Sequence, residues 1–507
     1  MPFPLLSCRR VLVAVLLLPL TVAFAAEPPR TLPELRTRLE AHVSQPRFAG
    51  AMWGIKILSL DTGEVWFEHQ SGKLLSPASN TKLYTGALAL DVLGGDYRIR
   101  TPVLGTVAPD AAGVLPGSLV VSGRGDPGWR TRGGSRNFWD AFAPVVTVVR
   151  GAGIRRITGD VIADATWFHA LPQGAGWTAD DLNDYYGAEV SAISLEQNYA
   201  ELRVSAAESA GGPARTEWLQ PHTGLTVDNR VRTIPPGGTR RIIAQRLAGE
   251  TTVHLFGEIP VGAEPEVVDV TVPRPAQWFA AGLREALIRA GITVEGQALS
   301  RRWPEAPADG LPGVRLGEVE SAPLRALVRD FMKPSQNLET DLIFGHLAEL
   351  RRTPELPEWR STEDLGVAAL REFLQRHGLP AGEVRFEEGS GLSRNNLTTA
   401  HATVSLLALM ARHPAAEDFL AALPIAGVDG TIRRRMKGTV AEGNVRAKTG
   451  TLRYANALSG YVTTGAGERL AFSLMLNRNT GQPANRNVRE ELDDIAVWLA
   501  GVGRKEK

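Results

Sequence analysis

Thiol chemistry is almost absent from this 507-residue chain, which carries one cysteine. That residue, Cys8, lies ahead of an N-terminal apolar run and would leave with it, so disulfides, thiolate nucleophiles and thiolate metal sites are excluded from the remainder. The nine histidines are scattered, with no His-Glu-x-x-His pair, so a zinc hydrolase has no ligand set and neither a metal nor a cofactor is expected. A formal net charge of +1, with no basic stripe, argues against a nucleic-acid partner. Beyond the N-terminus no run is long and apolar enough to cross a membrane.

Lysine is also scarce: eight of the 56 basic residues are lysine and the rest arginine. Two of the eight stand in short elements that support acyl transfer, Ser79-Asn80-Thr81-Lys82 and Lys448-Thr449-Gly450, with Ser335-Gln336-Asn337 between them. The order is that of the penicillin-binding and serine β-lactamase site. Arginine would hold an anion at either lysine position but could not release a proton near neutral pH. Taken singly, each element has a plain structural reading: Ser79 an N-cap, the lysines solvated charges, Ser335 a turn residue after Pro334. The ordered set outweighs those readings.

The N-terminus reads as a signal peptide over residues 1–25. Arg9 and Arg10 precede the apolar run 11–24, and Ala23-Phe24-Ala25 offers small residues for cleavage; the alternative is an uncleaved anchor. Export to the periplasm is therefore expected. Next come an amphipathic helix over 31–43 and a β-hairpin of 52–60 and 64–69, turned at Asp61-Thr62-Gly63. Ser79 opens a helix to about Leu93, closed by Gly94-Gly95, which puts Lys82 one turn on and on the same face. From 97 to 319 short β-rich runs dominate, such as 118–122, 156–163 and 201–205, and helical periodicity is confined to 275–290. Helices return at 324–332, 338–351, 365–377 and 399–412. Strands at 445–452, 457–463 and 470–477 and a last helix at 488–499 complete the chain. The expected class is α+β: an antiparallel sheet covered by helices, in a serine β-lactamase/transpeptidase-like domain (27–96 and 320–507), interrupted by β-rich insertions. One insertion spans 97–198 and 275–319, with a second, 199–274, nested inside it.

The residues suggest roles. Ser79 is the nucleophile, and its amide at the helix start donates to a developing oxyanion, with the amide of Thr451 as second donor. Small Gly450 lets substrate approach the edge strand. Lys82 serves as general base once burial and a second cation, Lys448, bring it to roughly pKa 7–8. Lys448 also attracts a substrate carboxylate, Ser335 shuttles a proton to the leaving amine, and Asn337 holds Lys82 and the substrate amide.

With these motifs placed, the chain resembles the D-alanyl-D-alanine carboxypeptidase/endopeptidase family of low-molecular-mass class C penicillin-binding proteins (peptidase family S13). The likeness runs from about Phe48 to the C-terminus through Pro77-Ala78-Ser79-Asn80-Thr81-Lys82-Leu83, Gly123-Arg124-Gly125-Asp126-Pro127, Gly159-Asp160-Val161-Ile162-Ala163-Asp164, Val190-Ser191-Ala192-Ile193-Ser194, Met332-Lys333-Pro334-Ser335-Gln336-Asn337, Gly389-Ser390-Gly391-Leu392-Ser393-Arg394 and Ala426-Gly427-Val428-Asp429-Gly430-Thr431. It implies hydrolysis of D-Ala-D-Ala ends or D-Ala-diaminopimelate cross-links of peptidoglycan through an acyl-enzyme, with β-lactam antibiotics as covalent inhibitors. It also implies that Asp164 and Arg394 bind the free end of a diaminopimelate side chain. Two positions depart from the family pattern: Gln336 where aspartate is frequent, and Glu388 where aspartate usually precedes Gly-Ser-Gly, next to the loop that carries Arg394.

Two other readings are a serine β-lactamase or esterase, for which no loop carboxylate dedicated to deacylation is visible, and a catalytically silent peptidoglycan-binding scaffold, which has no need of both lysines. The sequence leaves open the balance of carboxypeptidase and endopeptidase activity, the oligomeric state and any peripheral association with the membrane.

Overall fold

The computed structural model describes residues 28–131, 137–307, 313–480 and 486–503. The signal-peptide expectation, residues 1–25, lies outside the described residues. Among those described, no helix is long and apolar enough to cross a membrane.

The hairpin Met52–Ser59 and Val65–His69 joins the three C-terminal strands in one five-stranded antiparallel sheet. Its order runs from the edge strand Arg446–Leu452 through Ala455–Thr463, Arg469–Asn477 and Met52–Ser59 to Val65–His69. Strand Arg469–Asn477 is buried from its second residue to its last, because both faces of the sheet are covered. Leu470, Phe472, Leu474 and Leu476 pack on the side of the helices Leu32–Val43 and Val488–Gly501, whereas Ala471 joins the cluster around helix Thr81–Leu93. Each fully buried Leu or Phe contributes roughly 1.5–3 kcal/mol. The alternation of sides follows from the period of two along a strand.

Helix Thr81–Leu93 is buried around its whole circumference from Thr81 to Leu90, as a helix in the middle of a core must be. A polar relay fixes its start to the sheet: Asn80 Nδ2 donates to Ser459 Oγ at 2.7 Å, and Ser459 Oγ donates to Ser473 Oγ at 2.9 Å. Helix Leu324–Met332 packs beside it, then Asn337–Glu349 and Thr362–Arg376.

Between these parts the chain builds further sheets, the largest a five-stranded one in which the edge strand Ala298–Arg302 and its successive neighbours Val161–Ala165 and Leu119–Ser122 run parallel. Helix Pro275–Arg289 lies against it. Three-stranded sheets occupy the region from Tyr199 to Thr271.

The structure corrects two sequence-based expectations and adds one helix. Residues 143–151, within the stretch read as β-rich, form a helix, Ala143–Gly151. Its valines carry only a few tenths of a kcal/mol of helix penalty, and Val145, Val146 and Val149 recover more by burial on one face. The run 156–163 is not one strand: it breaks at Gly159, where a side chain would meet the Gly117 backbone at 2.5 Å, and its halves Arg156–Ile157 and Val161–Ala165 enter different sheets. A short helix, Ala416–Ala422, also goes unmarked in the sequence reading.

Candidate active site

Ser79 lies in a tight 3-10 turn, Ala78–Asn80, that feeds directly into helix Thr81–Leu93. Ala78 adopts a left-handed conformation, φ +46°, uncommon for a side-chain-bearing residue and frequent where function fixes a backbone. One turn along, Lys82 is fully buried. Its ammonium donates to Ser79 Oγ at 3.1 Å, Asn337 Oδ1 at 2.7 Å and the Ser390 carbonyl at 2.6 Å, so all three of its protons have acceptors. Burial lowers its pKa to about 8, while the nearby Asp341 and Glu388 carboxyls pull it back up.

Lys448 is buried as deeply, on the edge strand Arg446–Leu452. It donates to Ser335 Oγ at 2.7 Å and to the Thr449 carbonyl at 2.8 Å. Its pKa falls well below the usual lysine value, first through burial and then through the charge of Lys82. The sequence-based expectation names burial and the charge of Lys448 together as what lowers Lys82. Burial is the principal cause at both sites, and the charges that weigh on Lys82 are the two carboxyls.

Ser335 holds φ +69° between Pro334 and helix Asn337–Glu349, which turns its hydroxyl toward Lys448. Asn337, at the first turn of that helix, accepts from Lys82 and donates through Nδ2 to the Tyr186 carbonyl at 3.0 Å. Thr449 Oγ1 donates to Thr431 Oγ1 at 2.8 Å. Gly450 also has a packing reason to be small. A Cβ there would stand 2.2 Å from the Pro77 carbonyl and 3.3 Å from Ala78 Cβ, so the serine turn itself occupies the space. Thr451 follows, exposed at the cleft.

These groups open onto a cleft of about 730 Å3 lined by Ser79, Ser335, Asn337, Arg394, Thr449 and Thr451, among others. The structure thus gathers Ser79, Lys82, Ser335, Asn337 and Lys448 in one place, with Thr449, Gly450, Thr451 and Arg394 around them.

Asp164 is elsewhere. It is 1 % exposed at the end of strand Val161–Ala165, where Oδ1 accepts from Thr166 N at 3.0 Å and Thr166 Oγ1 at 2.7 Å, and it does not line the cleft. The carboxylates that do are Asp180 and Asp181. Asp181 binds Arg394 at two points and caps the turn Ala179–Asn183 by accepting from Thr178 N and Oγ1 at 2.8 and 2.9 Å. Asp180 is exposed, 3.8 Å from Arg453. The sequence signal was present in the capping pattern Thr178-x-x-Asp181.

Glu388 is buried beneath the loop that carries Arg394. Its side chain folds back under the loop and accepts from Ser390 N at 2.9 Å, Gly391 N at 2.7 Å, Asn396 Nδ2 at 2.7 Å and the Ser390 hydroxyl.

A model of the D-Ala-D-Ala carboxypeptidase 3 (S13) family matches residues 35–499. The D-alanyl-D-alanine carboxypeptidase of an Actinomadura species is 34 % identical over 96 % of this chain and 89 % of its own. The D-alanyl-D-alanine carboxypeptidase DacB of Haemophilus influenzae is 25 % identical over 87 % of this chain and 89 % of its own. The crystal structure of penicillin binding protein 4 (dacB) from Haemophilus influenzae superposes with a TM-score of 0.75 at 24 % identity, covering 88 % of this chain and 95 % of that one, a likeness of fold.

Proposed function

Since the chain belongs to the D-Ala-D-Ala carboxypeptidase 3 (S13) family, we propose that it is a serine-type D-Ala-D-Ala carboxypeptidase and endopeptidase of peptidoglycan in which Ser79 forms the acyl-enzyme. The observation that carries this reading is Lys82 Nζ, buried and 3.1 Å from Ser79 Oγ.

In this reading the substrate carboxylate arrives beside Lys448 and Thr449. An anion there favours the ammonium form of Lys448, which in turn favours neutral Lys82. Lys82 takes the Ser79 proton as Oγ attacks the D-Ala carbonyl carbon. The N–H groups of Ser79 and Thr451 receive the oxyanion. Ser335 gives its proton to the leaving amine and regains one from Lys448, to which it is bound at 2.7 Å. Water then attacks the ester: its proton passes through Ser335 to Lys448, and Ser79 recovers its own from Lys82. All transferred protons are restored at the end of the cycle.

Residues 27–96 and 320–507 form the catalytic unit in this proposal, and the inserted segments, 97–198 with 275–319 and 199–274, supply substrate choice. Asp180 takes the place first assigned to Asp164, pairing with the ammonium of a diaminopimelate side chain whose carboxylate meets Arg394. The enzyme would be exported to the periplasm by its N-terminal leader, and β-lactams would acylate Ser79.

Fluorescent penicillin decides among the readings. Stable label mapped to Ser79 supports a penicillin-binding peptidase, rapid loss of label indicates a β-lactamase or esterase, and no label indicates a scaffold. Mass analysis of digested peptidoglycan then separates release of terminal D-Ala from cleavage of cross-links.

A further inference from the structure

Two buried carboxyls stand behind Lys82 with no part in the steps above: Asp341, one turn beyond Asn337 on helix Asn337–Glu349, and Glu388, at the start of loop 388–396. Both act electrostatically on Lys82. Their environments differ in a way that assigns their protons.

Glu388 accepts from four donors, two on each oxygen: the amide and hydroxyl of Ser390 on Oε2, and Gly391 N and Asn396 Nδ2 on Oε1. A carboxylate offers about four lone-pair sites, so this ring suits the ionised acid and leaves no place for its proton. Asp341 accepts from Gly389 N at 3.1 Å through Oδ1, its buried Oδ2 makes no well-formed hydrogen bond among the described residues, and the Ser390 hydroxyl and the Glu388 carboxyl both bear on its side chain. Two adjacent carboxyls in a poorly solvated site do not both ionise. Burial, followed by the Glu388 charge, raises the Asp341 pKa well above the usual carboxyl range.

The pair is also mechanically joined to Lys82. Glu388 holds the amide and hydroxyl of Ser390, and the Ser390 carbonyl accepts from Lys82 Nζ at 2.6 Å. The other titratable groups facing this cluster are Lys448 on the edge strand and Glu363 of helix Thr362–Arg376. Glu363 shares with Asp341 and Glu388 a cavity of about 20 Å3 and is likewise raised by burial.

We propose that Asp341 and Glu388 form a singly charged pair, Glu388 ionised and Asp341 holding the proton, and that this pair is the counter-ion that positions Lys82 through the Ser390 carbonyl. Asp341 and Glu388 are thus positioning residues. The proposal rests on Lys82 being the base, so its tests include one that does not.

The rate of acylation by benzylpenicillin, measured against pH, reads the charge beside Lys82. Removing a negative neighbour disfavours the ammonium form, so Glu388→Gln should move the acid limb down by about one pH unit or more, a tenfold change in proton affinity. Asp341→Asn removes a neutral group and should leave the limb within roughly 0.3 unit of wild type. Equal downward displacement in both variants, or none in a folded Glu388→Gln, overturns the proposal.

Infrared spectra of the intact protein at pH 8 supply the independent readout, and they stand even if Glu388→Gln fails to fold. The difference between wild type and Asp341→Asn should contain the carbonyl band of a protonated buried carboxyl. A difference spectrum without that band overturns the assignment whatever the role of Lys82. Penicillin label that persists in Ser79→Ala would instead overturn the catalytic reading and leave the infrared result untouched.

Discussion

Arg394 and Asp181 bind each other at two points beside the cleft, Nη1 to Oδ2 at 2.6 Å and Nη2 to Oδ1 at 3.0 Å. Asp181 is buried and Arg394 about one-third exposed, so the guanidinium is oriented from behind and keeps a face toward the cleft. Asp181→Asn and Arg394→Ala should each reduce cleavage of diaminopimelate-containing peptides by roughly tenfold, the scale of a partly exposed charged contact of 1–2 kcal/mol. Acylation by benzylpenicillin, which lacks that side chain, should change by less than about threefold on the same grounds. Equal losses on both substrates would assign the pair to the fold.

Asp164→Ala should show the opposite pattern. The substitution strands the Thr166 amide and hydroxyl in the interior and should lower stability by roughly 1–3 kcal/mol. Thermal unfolding should move down while the ratio of peptide to penicillin reactivity stays at the wild-type value. A selective loss of diaminopimelate substrates would return Asp164 to the binding site.

Ser79→Ala should abolish covalent penicillin binding and lower peptidase activity by roughly 10³–10⁶-fold, the usual effect of deleting a nucleophile. Intact-protein mass spectrometry after penicillin treatment is the check. A stable adduct on another residue would remove Ser79 from the mechanism.

Below the Lys82 pKa of about 8, the neutral base becomes tenfold rarer with each unit of falling pH, so acylation should slow on the acid side and level off above that value. Lys82→Arg should be as damaging as Lys82→Ala, because guanidinium cannot accept the proton. Lys448→Arg keeps a charge and a donor for Ser335 and should retain more activity. Stopped-flow acylation from pH 6 to 10 tests both, and wild-type rates in Lys82→Arg would refute the base assignment.

The catalytic sheet was legible because its strands are short runs bounded by turn residues such as Asp61-Thr62-Gly63, and its motifs fall at fixed points: Lys448 and Thr449 on an edge strand, Ser79 at a helix start. Helix Ala143–Gly151 was not, since a run of valine and threonine suits strand or helix until packing decides. Asp164 and Asp181 show a second limit. Both are aspartates in the inserted segment, and the difference between supporting Thr166 and reaching Arg394 depends on how distant segments meet. Likewise, nothing local marks Asp341 as a neighbour of Glu388, which is 47 positions away in the chain.

Gly450 illustrates how one missing side chain joins sheet to nucleophile. Its neighbours are the Pro77 carbonyl and Ala78 Cβ, and both belong to the turn that presents Ser79. A methyl group at 2.2 Å from a carbonyl oxygen cannot be tolerated by a side-chain shift, because the obstacle is backbone. Gly450→Ala should therefore push the edge strand away from the Ser79 turn and displace the Thr451 amide from the oxyanion position. Loss of one oxyanion donor costs about 10²–10³ in rate, so penicillin acylation and peptide hydrolysis should fall together by that order. The fall should appear in the rate of acylation more than in substrate affinity, with the protein still folded by circular dichroism. Unchanged acylation in Gly450→Ala would mean that the strand and the serine turn move independently, and Thr451 would lose its place as the second donor.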